Sequence, residues 1–457
     1  MKRAPEITWQ IYSDAESYLR KWLLDSLRSN RQLETLAESI EIRTAAAFFD
    51  WIDHFSVGPH SPRIRDLENL GFSSVMNDDT ATTLRNTEST LPPVLILDGK
   101  PDEWTGLAIR VDAVSNFLMA NSLSVPIEGS IAHCYRRSFL LNESDLSVWI
   151  VERRGYGGFD VNSSAEINPK TLWEAIETWK TRPRQIADSD RGVNAALTLA
   201  DEFSEVLGKH MAAWVVITCE VERWMTRNRA GSRQHHLNQM FGLGFANIDH
   251  VTFRSSRKYF PFLIKLFEKL GFESRERFYA GDQAGWGAQV MEDPVMGKAL
   301  FLDVDLNPDE IDMDFLSETF DERNVCGTVG LWCELHGDSI LDAGLHHVAL
   351  RMRFNDAMGL LAAEGIPSMA PFSLFPYLKQ VFTFGEMWSV PESRITALTT
   401  QGIIHAGQEK RFKVSGAVGS HLEIIQRRGG FKGFNQTTVS NIIRDTDPRD
   451  IGTGIGA

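Results

Sequence analysis

The sequence predicts an α+β fold in which one arrangement of strands and helices occurs twice. Three observations support this prediction. Short apolar runs typical of strands alternate with segments of helical periodicity, and residues of the first half match residues of the second half in register. The 457 residues are 43% hydrophobic and include 12 Trp and 27 Phe, enough to bury large cores. A chain of this length is expected to hold two or three domains.

The first half begins with helical sequence and continues with strands and helices. Residues 14–40 carry an apolar stripe at helical spacing, "IDHFSVG" has the character of a short strand, and "SPRIRDLENLGF" that of a helix ending at Gly71. Further strands are expected in "PPVLILDG", "TGLAIRVD", "SIAHCYRRSFLL" and "LSVWIVERRG", with a helix in "AVSNFLMANSL".

The middle of the chain is predicted to be a helical connector. The segment "NPKTLWEAIETW" begins with Asn168 as a cap and Pro169 in the first turn, which is typical of a helix start. The segment "TRPRQIADSDRG" is the best candidate for a linker. We therefore divide the chain into an N-terminal domain (1–165), a connector (166–240), a C-terminal catalytic domain (241–446) and a disordered tail (447–457).

The second half repeats the order of the first. A helix over residues 201–225 precedes a strand in "NIDHVTFRSS", a helix in "YFPFLIKLFEKLGF" and strands in "GWGAQVME" and "KALFLDVDL". A strand in "LHHVALRM" and a helix in "FNDAMGLLAAEGI" follow. Three more strands are expected in "GIIHAGQ", "RFKVSGA" and "HLEIIQRR", and a short helix in "TTVSNIIRD".

The two halves can be aligned in register. "WIDHF" matches "NIDHV", and "TGLAIRVDAVSNFLMANSLSVP" matches "HHVALRMRFNDAMGLLAAEGIP". "WIVERRGYGGF" matches "LEIIQRRGGFKGF", and we pair Glu152 with Glu423. These matches indicate an internal duplication with four modules, each a strand, a helix and further strands.

Three metal-ligand side chains lie on three separate predicted strands of the second half. His250, His347 and Glu423 are each flanked by apolar residues. Two imidazoles and one carboxylate on one face of a metal, with open positions opposite, is the arrangement of non-haem Fe(II) oxygenases. A histidine on an apolar strand can instead be an ordinary core residue, but a buried lone carboxylate needs a partner or a cation. The pattern therefore makes these residues candidates for a metal site.

The first half lacks a complete set of these ligands. His54 and Glu152 are present, but Gly106 stands where His347 stands in the second half. Because two ligands are too few for a tight site, we expect the first half to be a scaffold.

The second half resembles the vicinal oxygen chelate superfamily, in particular its 4-hydroxyphenylpyruvate dioxygenase branch. "GLGFANIDHV", "LHHVALR" and "GIIHAGQEKRFKVSGAVGSHLEIIQRRGGFKGFN" are similar to that branch's ligand-bearing segments, over residues 240–446. The resemblance implies βαβββ modules paired into open, barrel-like half-domains, and Fe(II) bound by His250, His347 and Glu423. Lys413 stands where that branch has a substrate-contacting Gln, and Phe431 and Phe434 belong to its lid region.

A looser resemblance is to the 2-oxoadipate dioxygenase/decarboxylase family of the same superfamily. That family has an Arg four residues after its first metal His, and here Arg254 follows His250 in "DHVTFR". Residues i and i+4 of a strand point to the same face, so Arg254 would lie beside the metal, where it can grip a substrate carboxylate. Its alternative is a solvated or ion-paired arginine at the strand end.

Together these observations predict an Fe(II)-dependent dioxygenase that oxidatively decarboxylates a 2-oxo acid and hydroxylates the same molecule. The alternatives are a metal-dependent ring-opening dioxygenase, isomerase or lyase of the same fold, and a non-catalytic protein that binds a small ligand. The expected partners are the 2-oxo acid and O2, with oligomer formation left open. A net charge of −14 argues against nucleic-acid or membrane surfaces but leaves room for a local basic pocket. We expect a cytoplasmic protein, whose four cysteines (134, 219, 326 and 333) are buried reduced thiols.

Overall fold

Two helices, separated by a single capping residue, open the part of the chain that the structure describes. The computed structural model describes residues 8–449 except 78–80, 163–166, 185–187, 281–284, 311–312, 316–317, 319, 322–325 and 436–445. Helix α1 spans Ser13–Ser29 and α2 spans Arg31–Thr44. The side chain of Asn30 accepts hydrogen bonds from the first backbone N–H groups of α2. The helical structure predicted over residues 14–40 is confirmed, and it is divided into two helices.

The first half forms a seven-stranded sheet from two modules. Its elements are β1 (Ile52–Val57), α3 (Arg63–Asn69), β2 (Ser73–Asn77), β3 (Ala81–Arg85), β4 (Val94–Leu97), β5 (Thr105–Val111), α4 (Val114–Ala120), β6 (Tyr135–Asn142) and β7 (Leu146–Arg153). The strand order is β2-β3-β4-β1-β5-β7-β6. Strand β1 pairs parallel to β4 and antiparallel to β5, which joins the modules. The first module is βαβββ, and the second has one strand fewer.

Four helices connect the halves: α5 (Pro169–Thr181), α6 (Ser189–Leu207), α7 (Lys209–Met225) and α8 (Arg229–Gln239). The predicted cap of α5 is confirmed, because the side chain of Asn168 accepts a hydrogen bond from the N–H of Lys170. The helix predicted over residues 201–225 is instead divided between α6 and α7. Gly208 separates them with a φ of 78°, a left-handed conformation that favours glycine.

The second half forms a nine-stranded sheet from two further modules. Its elements are β8 (Ile248–Arg254), α9 (Phe260–Lys269), β9 (Glu273–Tyr279), β10 (Trp286–Asp293), β11 (Lys298–Asp305), α10 (Thr328–His336), β12 (His347–Arg351), α11 (Phe354–Ala363), β13 (Ser373–Phe375), β14 (Leu378–Phe382), β15 (Glu386–Trp388), α12 (Glu392–Thr400), α13 (Ala406–Ser415) and β16 (Ala417–Arg427). The order is β13-β14-β16-β12-β8-β11-β10-β9, with β15 paired to β16.

The predicted fold class is confirmed by this strand order. The protein is mixed α+β, and each half is a curved, open half-barrel of paired modules, the arrangement implied by the vicinal oxygen chelate resemblance. An insertion that contains β15, α12 and α13 precedes the closing strand of the fourth module. None of the described helices combines the length and apolar character needed to cross a membrane.

The strands predicted at residues 402–408 and 411–417 are wrong. Helix α13 occupies most of this stretch, and His405 caps it. The His405 ring accepts the N–H groups of Gly407 and Gln408, and the side chain of Gln408 accepts the N–H of His405 in return. This reciprocal cap starts a helix where apolar alternation suggested strands.

The end of the chain also departs from the sequence expectation. Asp447, placed in the predicted disordered tail, is buried and accepts a hydrogen bond from the Thr328 hydroxyl at the start of α10. Arg449 pairs with Asp447. The expected helix over 437–445 and the tail beyond residue 449 lie outside the described residues.

The register of the two halves corrects one predicted pairing. In the first sheet Ala108 lies opposite Trp149, and in the second sheet Ala349 lies opposite Glu423. Trp149, not Glu152, therefore occupies the place of Glu423. Glu152 instead corresponds to Gln426, three residues further along β16. Glu152 accepts the first backbone N–H of α4 at 3.1 Å, and Gln426 accepts that of α11 at 2.9 Å.

Strand alternation separates the core from the candidate site. On β8, β12 and β16, the side chains of Val251, Val348 and Leu422 enter the core shared with the connector helices. Because successive side chains of a strand point to opposite faces, the neighbouring positions 250, 347 and 423 face the concave side of the sheet. A second core packs α1 and α2 against the first sheet.

Candidate metal centre

His250, His347 and Glu423 meet on three adjacent strands. The Nε2 atom of His250 lies 3.1 Å from Glu423 Oε2, and the Nε2 atom of His347 lies 3.2 Å from the same oxygen. The two Nε2 atoms are 3.4 Å apart. All three residues are buried. The strands thus bring together the three residues that the sequence singled out.

The separations of these three atoms fit a metal ion. Ligand bonds of about 2.1 Å at right angles place neighbouring donor atoms about 3 Å apart. The observed triangle matches one face of an octahedron, the geometry of a two-histidine, one-carboxylate site. Among the described residues, this is the single cluster of three or more His, Cys, Asp or Glu side chains with such spacing.

The pKa values of the triad depend on one another, because its three side chains are buried together. Burial alone would raise the pKa of Glu423, but His250 and His347 lower it to about 2. Burial alone would lower the pKa of His250, but Glu423 and Asp249 raise it to about 9. Burial lowers the pKa of His347 to about 4, which favours a neutral ring, and its Nε2 atom lies 2.8 Å from the Thr252 hydroxyl. Either a proton on His250 or a metal ion can therefore neutralise Glu423.

Residues behind the triad orient its ligand atoms. Asp249 Oδ1 lies 3.0 Å from Nδ1 of His250, which directs Nε2 of that ring toward Glu423. Asp249 is held by Arg427 through two hydrogen bonds of 2.7 Å and 2.9 Å and by Arg351 through one of 2.9 Å. These arginines keep the pKa of Asp249 well below its ordinary value despite burial. The amide of Gln380 donates to Glu423 Oε1 at 2.8 Å, which leaves Oε2 for the histidines.

The first half repeats this support without the ligands. Asp53 Oδ2 lies 2.8 Å from Nδ1 of His54, and Arg153 donates two hydrogen bonds of 2.7 Å and 2.8 Å to Asp53. His54 also meets the edge of Phe159 at 4.8 Å, much as His250 meets Phe434 at 5.1 Å. With glycine at 106 and tryptophan at 149, a single imidazole remains there. We call each Asp–Arg pair with its histidine an Asp–Arg–His frame.

A small aromatic cavity opens beside the triad. Arg254 lines it, is 2% exposed, and has no hydrogen-bond partner for its Nε and Nη1 atoms among the described residues. Its Nε lies 3.6 Å from Asp303 Oδ2, an ion pair without a hydrogen bond. Burial raises the pKa of Asp303 to about 7, although Arg254 opposes this shift. The remaining wall is largely aromatic: Phe278, Trp286, Phe301, Phe372, Phe382 and Phe434.

No protein-family model and no curated protein matches the sequence. Among solved structures, a variant of 4-hydroxymandelate synthase from Streptomyces coelicolor is 11% identical over 86% of this chain and 95% of its own, with a TM-score of 0.26. Methylmalonyl-CoA epimerase from Mycobacterium tuberculosis is 12% identical over 40% of this chain and 89% of its own, with a TM-score of 0.24. A fusion of a xylose isomerase-like TIM barrel and 4-hydroxyphenylpyruvate dioxygenase is 10% identical over 86% of this chain and 50% of its own, with a TM-score of 0.22. Similarities this low carry no argument about function.

Two residues that the sequence assigned to the substrate site lie elsewhere. Lys413 is on the outer face of α13, where its Nζ pairs with Glu409 at 2.9 Å and with Glu392 at 3.6 Å. It does not line the cavity, because the segment that was expected to be a strand is a surface helix. Phe431 packs against Tyr377 at 4.7 Å and does not line the cavity. Phe434, in contrast, lines the cavity as expected.

Sequence reasoning missed three residues of the site. Asp249 had a detectable signal, since the dipeptide Asp-His occurs at the matching place in both halves. Asp303 and Gln380 carried no such signal. They reach the site because β11 pairs with β8 and β14 pairs with β16.

Proposed function

We propose that the chain is an Fe(II)-dependent dioxygenase that oxidatively decarboxylates a 2-oxo acid and hydroxylates the same molecule. The observation that supports this best is the triad beside a buried guanidinium with two nitrogen atoms that have no hydrogen-bond partner, within one cavity. His250 Nε2, His347 Nε2 and Glu423 Oε2 would hold the metal. Bound Fe(II) would supply the open positions at which substrate and O2 are activated.

Arg254 would recognise a carboxylate of the substrate. A buried guanidinium with two unpartnered nitrogen atoms favours an anion with planar, paired oxygen atoms. Asp303 faces the same guanidinium, and its raised pKa allows it to be neutral near pH 7. A neutral Asp303 would leave the charge of Arg254 free for the substrate.

The aromatic wall would bind the apolar part of the substrate and exclude water. Phe301 and Phe434 meet edge to face at 4.5 Å, and each also contacts the ring of His250. Water exclusion strengthens electrostatic interactions within the cavity and protects reactive species from side reactions. We therefore expect a 2-oxo acid with an apolar or aromatic body.

The test is anaerobic reconstitution with Fe(II), followed by a screen of 2-oxo acids for O2 uptake and CO2 release. One substrate should consume O2 and release CO2 in equal amounts. No O2 uptake with any 2-oxo acid, in protein shown to contain iron, would contradict the proposal.

A matched pair of variants tests the role of Arg254. Arg254→Lys removes the two-point contact, and the loss of such a charge-assisted bond costs about 1.5–3 kcal/mol, or roughly ten- to hundredfold in substrate binding. The iron content should stay unchanged. Arg257→Lys is the control, because Arg257 pairs with Glu310 outside the cavity. Full substrate affinity in Arg254→Lys would exclude the carboxylate contact.

A second candidate function is a metal-dependent isomerase or lyase. The observation that favours it is Asp303, a buried carboxyl whose pKa of about 7 suits proton transfer at neutral pH. Such an enzyme would exchange a substrate hydrogen with D2O solvent without consuming O2. An Asp303→Asn variant would abolish that exchange.

A further inference from the structure

A second cavity, of about 480 Å3, lies between the two half-barrels. Strands of both sheets line it, together with α1 and the segment that precedes β8. Phe434 lines this cleft on one side and the triad cavity on the other. The two cavities therefore adjoin each other at this aromatic ring.

The charge of the cleft is opposite to that of the chain. Nine lysine and arginine residues line it against six aspartate and glutamate residues. The whole chain carries a net charge of −14. A positive recess inside an acidic protein is a local feature that can concentrate small anions.

Most of these cations are already paired, but three are not. Arg153 is bound to Asp53, and Arg427 to Asp249. Arg85 on β3 and Arg110 on β5 have neither a hydrogen bond nor an ion pair among the described residues. The ammonium group of Lys298 at the start of β11 donates a hydrogen bond to the carbonyl oxygen of residue 248 at 2.8 Å. Among the described residues it forms no ion pair with an aspartate or glutamate.

Burial and mutual repulsion disfavour the charged forms of these cations. Burial, together with the nearby charges of Arg110 and Arg351, lowers the pKa of Lys298 to about 7, although Asp112 and Asp249 oppose this shift. Burial likewise lowers the pKa of Arg110. Other buried arginines of this protein, such as Arg427, are instead paired with a carboxylate. A bound anion would supply the missing counter-charge.

We propose that this cleft binds a small polyanion, a molecule with at least two carboxylate or phosphate groups, through Arg85, Arg110 and Lys298. The three cations come from strands β3, β5 and β11 of both half-barrels, which favours a ligand with more than one anionic group. The planar forks of the arginines suit carboxylate and phosphate oxygens equally. The proposal is independent of the function assigned to the triad, because none of the three residues lines that cavity.

The test is isothermal titration calorimetry of the full chain with citrate and, separately, with pyrophosphate, at constant ionic strength. At least one anion should bind at a single saturable site. Arg85→Gln/Arg110→Gln should weaken that binding at least about tenfold, the loss expected for a charge-assisted contact. The control is Arg43→Gln/Arg65→Gln, which removes the same charge from exposed positions outside the cleft. Circular dichroism shows whether both variants are folded.

The two probes show whether the cleft prefers carboxylate or phosphate groups. Binding of citrate alone identifies a polycarboxylate site, binding of pyrophosphate alone a phosphate site, and binding of both a site selected by charge. The proposal is overturned if neither anion binds the wild-type protein saturably. It is also overturned if the control variant loses as much affinity as Arg85→Gln/Arg110→Gln.

A pH series gives an independent readout. The groups that face Lys298 are Arg110, Arg351, Asp112 and Asp249. Burial raises the pKa of Asp112 to about 6, so this carboxyl gains negative charge as Lys298 loses its proton. Both changes oppose anion binding as the pH rises from about 6 to about 8, whereas citrate and pyrophosphate themselves gain negative charge over the same range. The series is therefore run in parallel on Lys298→Met, and a ratio of wild-type to variant affinity that is constant across this range would exclude Lys298 from the site.

Discussion

Replacing Asp249 by asparagine should destabilise the protein and weaken its affinity for metal. The aspartate is almost fully buried and accepts three hydrogen bonds from Arg427 and Arg351 while it contacts Nδ1 of His250. Asparagine keeps the shape but loses the charge. The NH2 group of the asparagine amide must face either the arginines or the His250 ring. Toward the arginines it would place one hydrogen-bond donor against another. In the second case His250 would carry its proton on Nε2, the atom that should bind the metal.

The size of the effect follows from the burial of the pair. The side chain of Arg427 is 6% exposed and that of Asp249 is 3% exposed. Removing one partner of a buried ion pair leaves the other charge uncompensated and costs about 3–5 kcal/mol. Loss of a residue that orients a metal ligand lowers metal affinity by about 10–100-fold. Urea denaturation measures the free energy of unfolding, and Co(II) titration of the folded protein, followed by absorbance, measures metal affinity.

The Asp–Arg–His frame of the first half provides the matched control. Asp53→Asn breaks the equivalent buried pair with Arg153, which is 7% exposed. It should therefore cost about the same free energy of unfolding, about 3–5 kcal/mol. Because no triad lies beside it, metal affinity should not change. The reasoning is refuted if Asp249→Asn unfolds like the wild type, or if Asp53→Asn weakens Co(II) binding as much as Asp249→Asn does.

Three further predictions concern the triad and acid stability. Glu423→Gln should abolish tight metal binding. Glu152→Gln should retain it, although this variant loses the ion pairs of Glu152 with two arginines. Equal loss of metal from the two variants in elemental analysis would contradict this prediction. Reconstituted protein should contain one metal ion per chain, and two tightly bound ions would show that the first half is more than a scaffold. Asp249 and Asp53 have depressed pKa values, so the stability that they contribute is present above about pH 4 and is lost at lower pH. Acid titrations followed by circular dichroism should therefore show a shallower loss of stability in Asp53→Asn than in the wild type.

The sequence predicted the four modules and the triad because both depend on short-range patterns. Period-two alternation assigns Val251 and Leu422 to the core, so positions 250 and 423 must face the other way. The pairing of Glu152 with Glu423 failed for a related reason. It matched residue types, whereas strand pairing fixes the register and aligns Trp149 with Glu423.

The insertion before β16 could not be predicted from the repeat, because the first half has no counterpart to it. Apolar residues within "RFKVSGA" suggested a strand, but Gln408 and the charged residues after it are good helix formers. The reciprocal hydrogen bonds between His405 and Gln408 stabilise the start of this helix. Because the segment was predicted to be a strand, Lys413 was wrongly placed in the substrate site. Asp303 and Gln380 depend on which strands are neighbours, and no local pattern encodes that.

The two Asp–Arg–His frames show that the demands of folding and of chemistry are separable in this architecture. The first half has the supporting charges without the ligands beside them, so this frame is a stable part of the fold that does not depend on a metal site. A second site could not easily be built there. A Cβ atom at Gly106 would lie 2.2 Å from the Ser56 hydroxyl and 2.8 Å from the ring of Trp104. Introducing a histidine there would require those neighbours to change, and Trp149 would have to be replaced by a carboxylate. No single substitution could therefore give the first half the same set of ligands as the second.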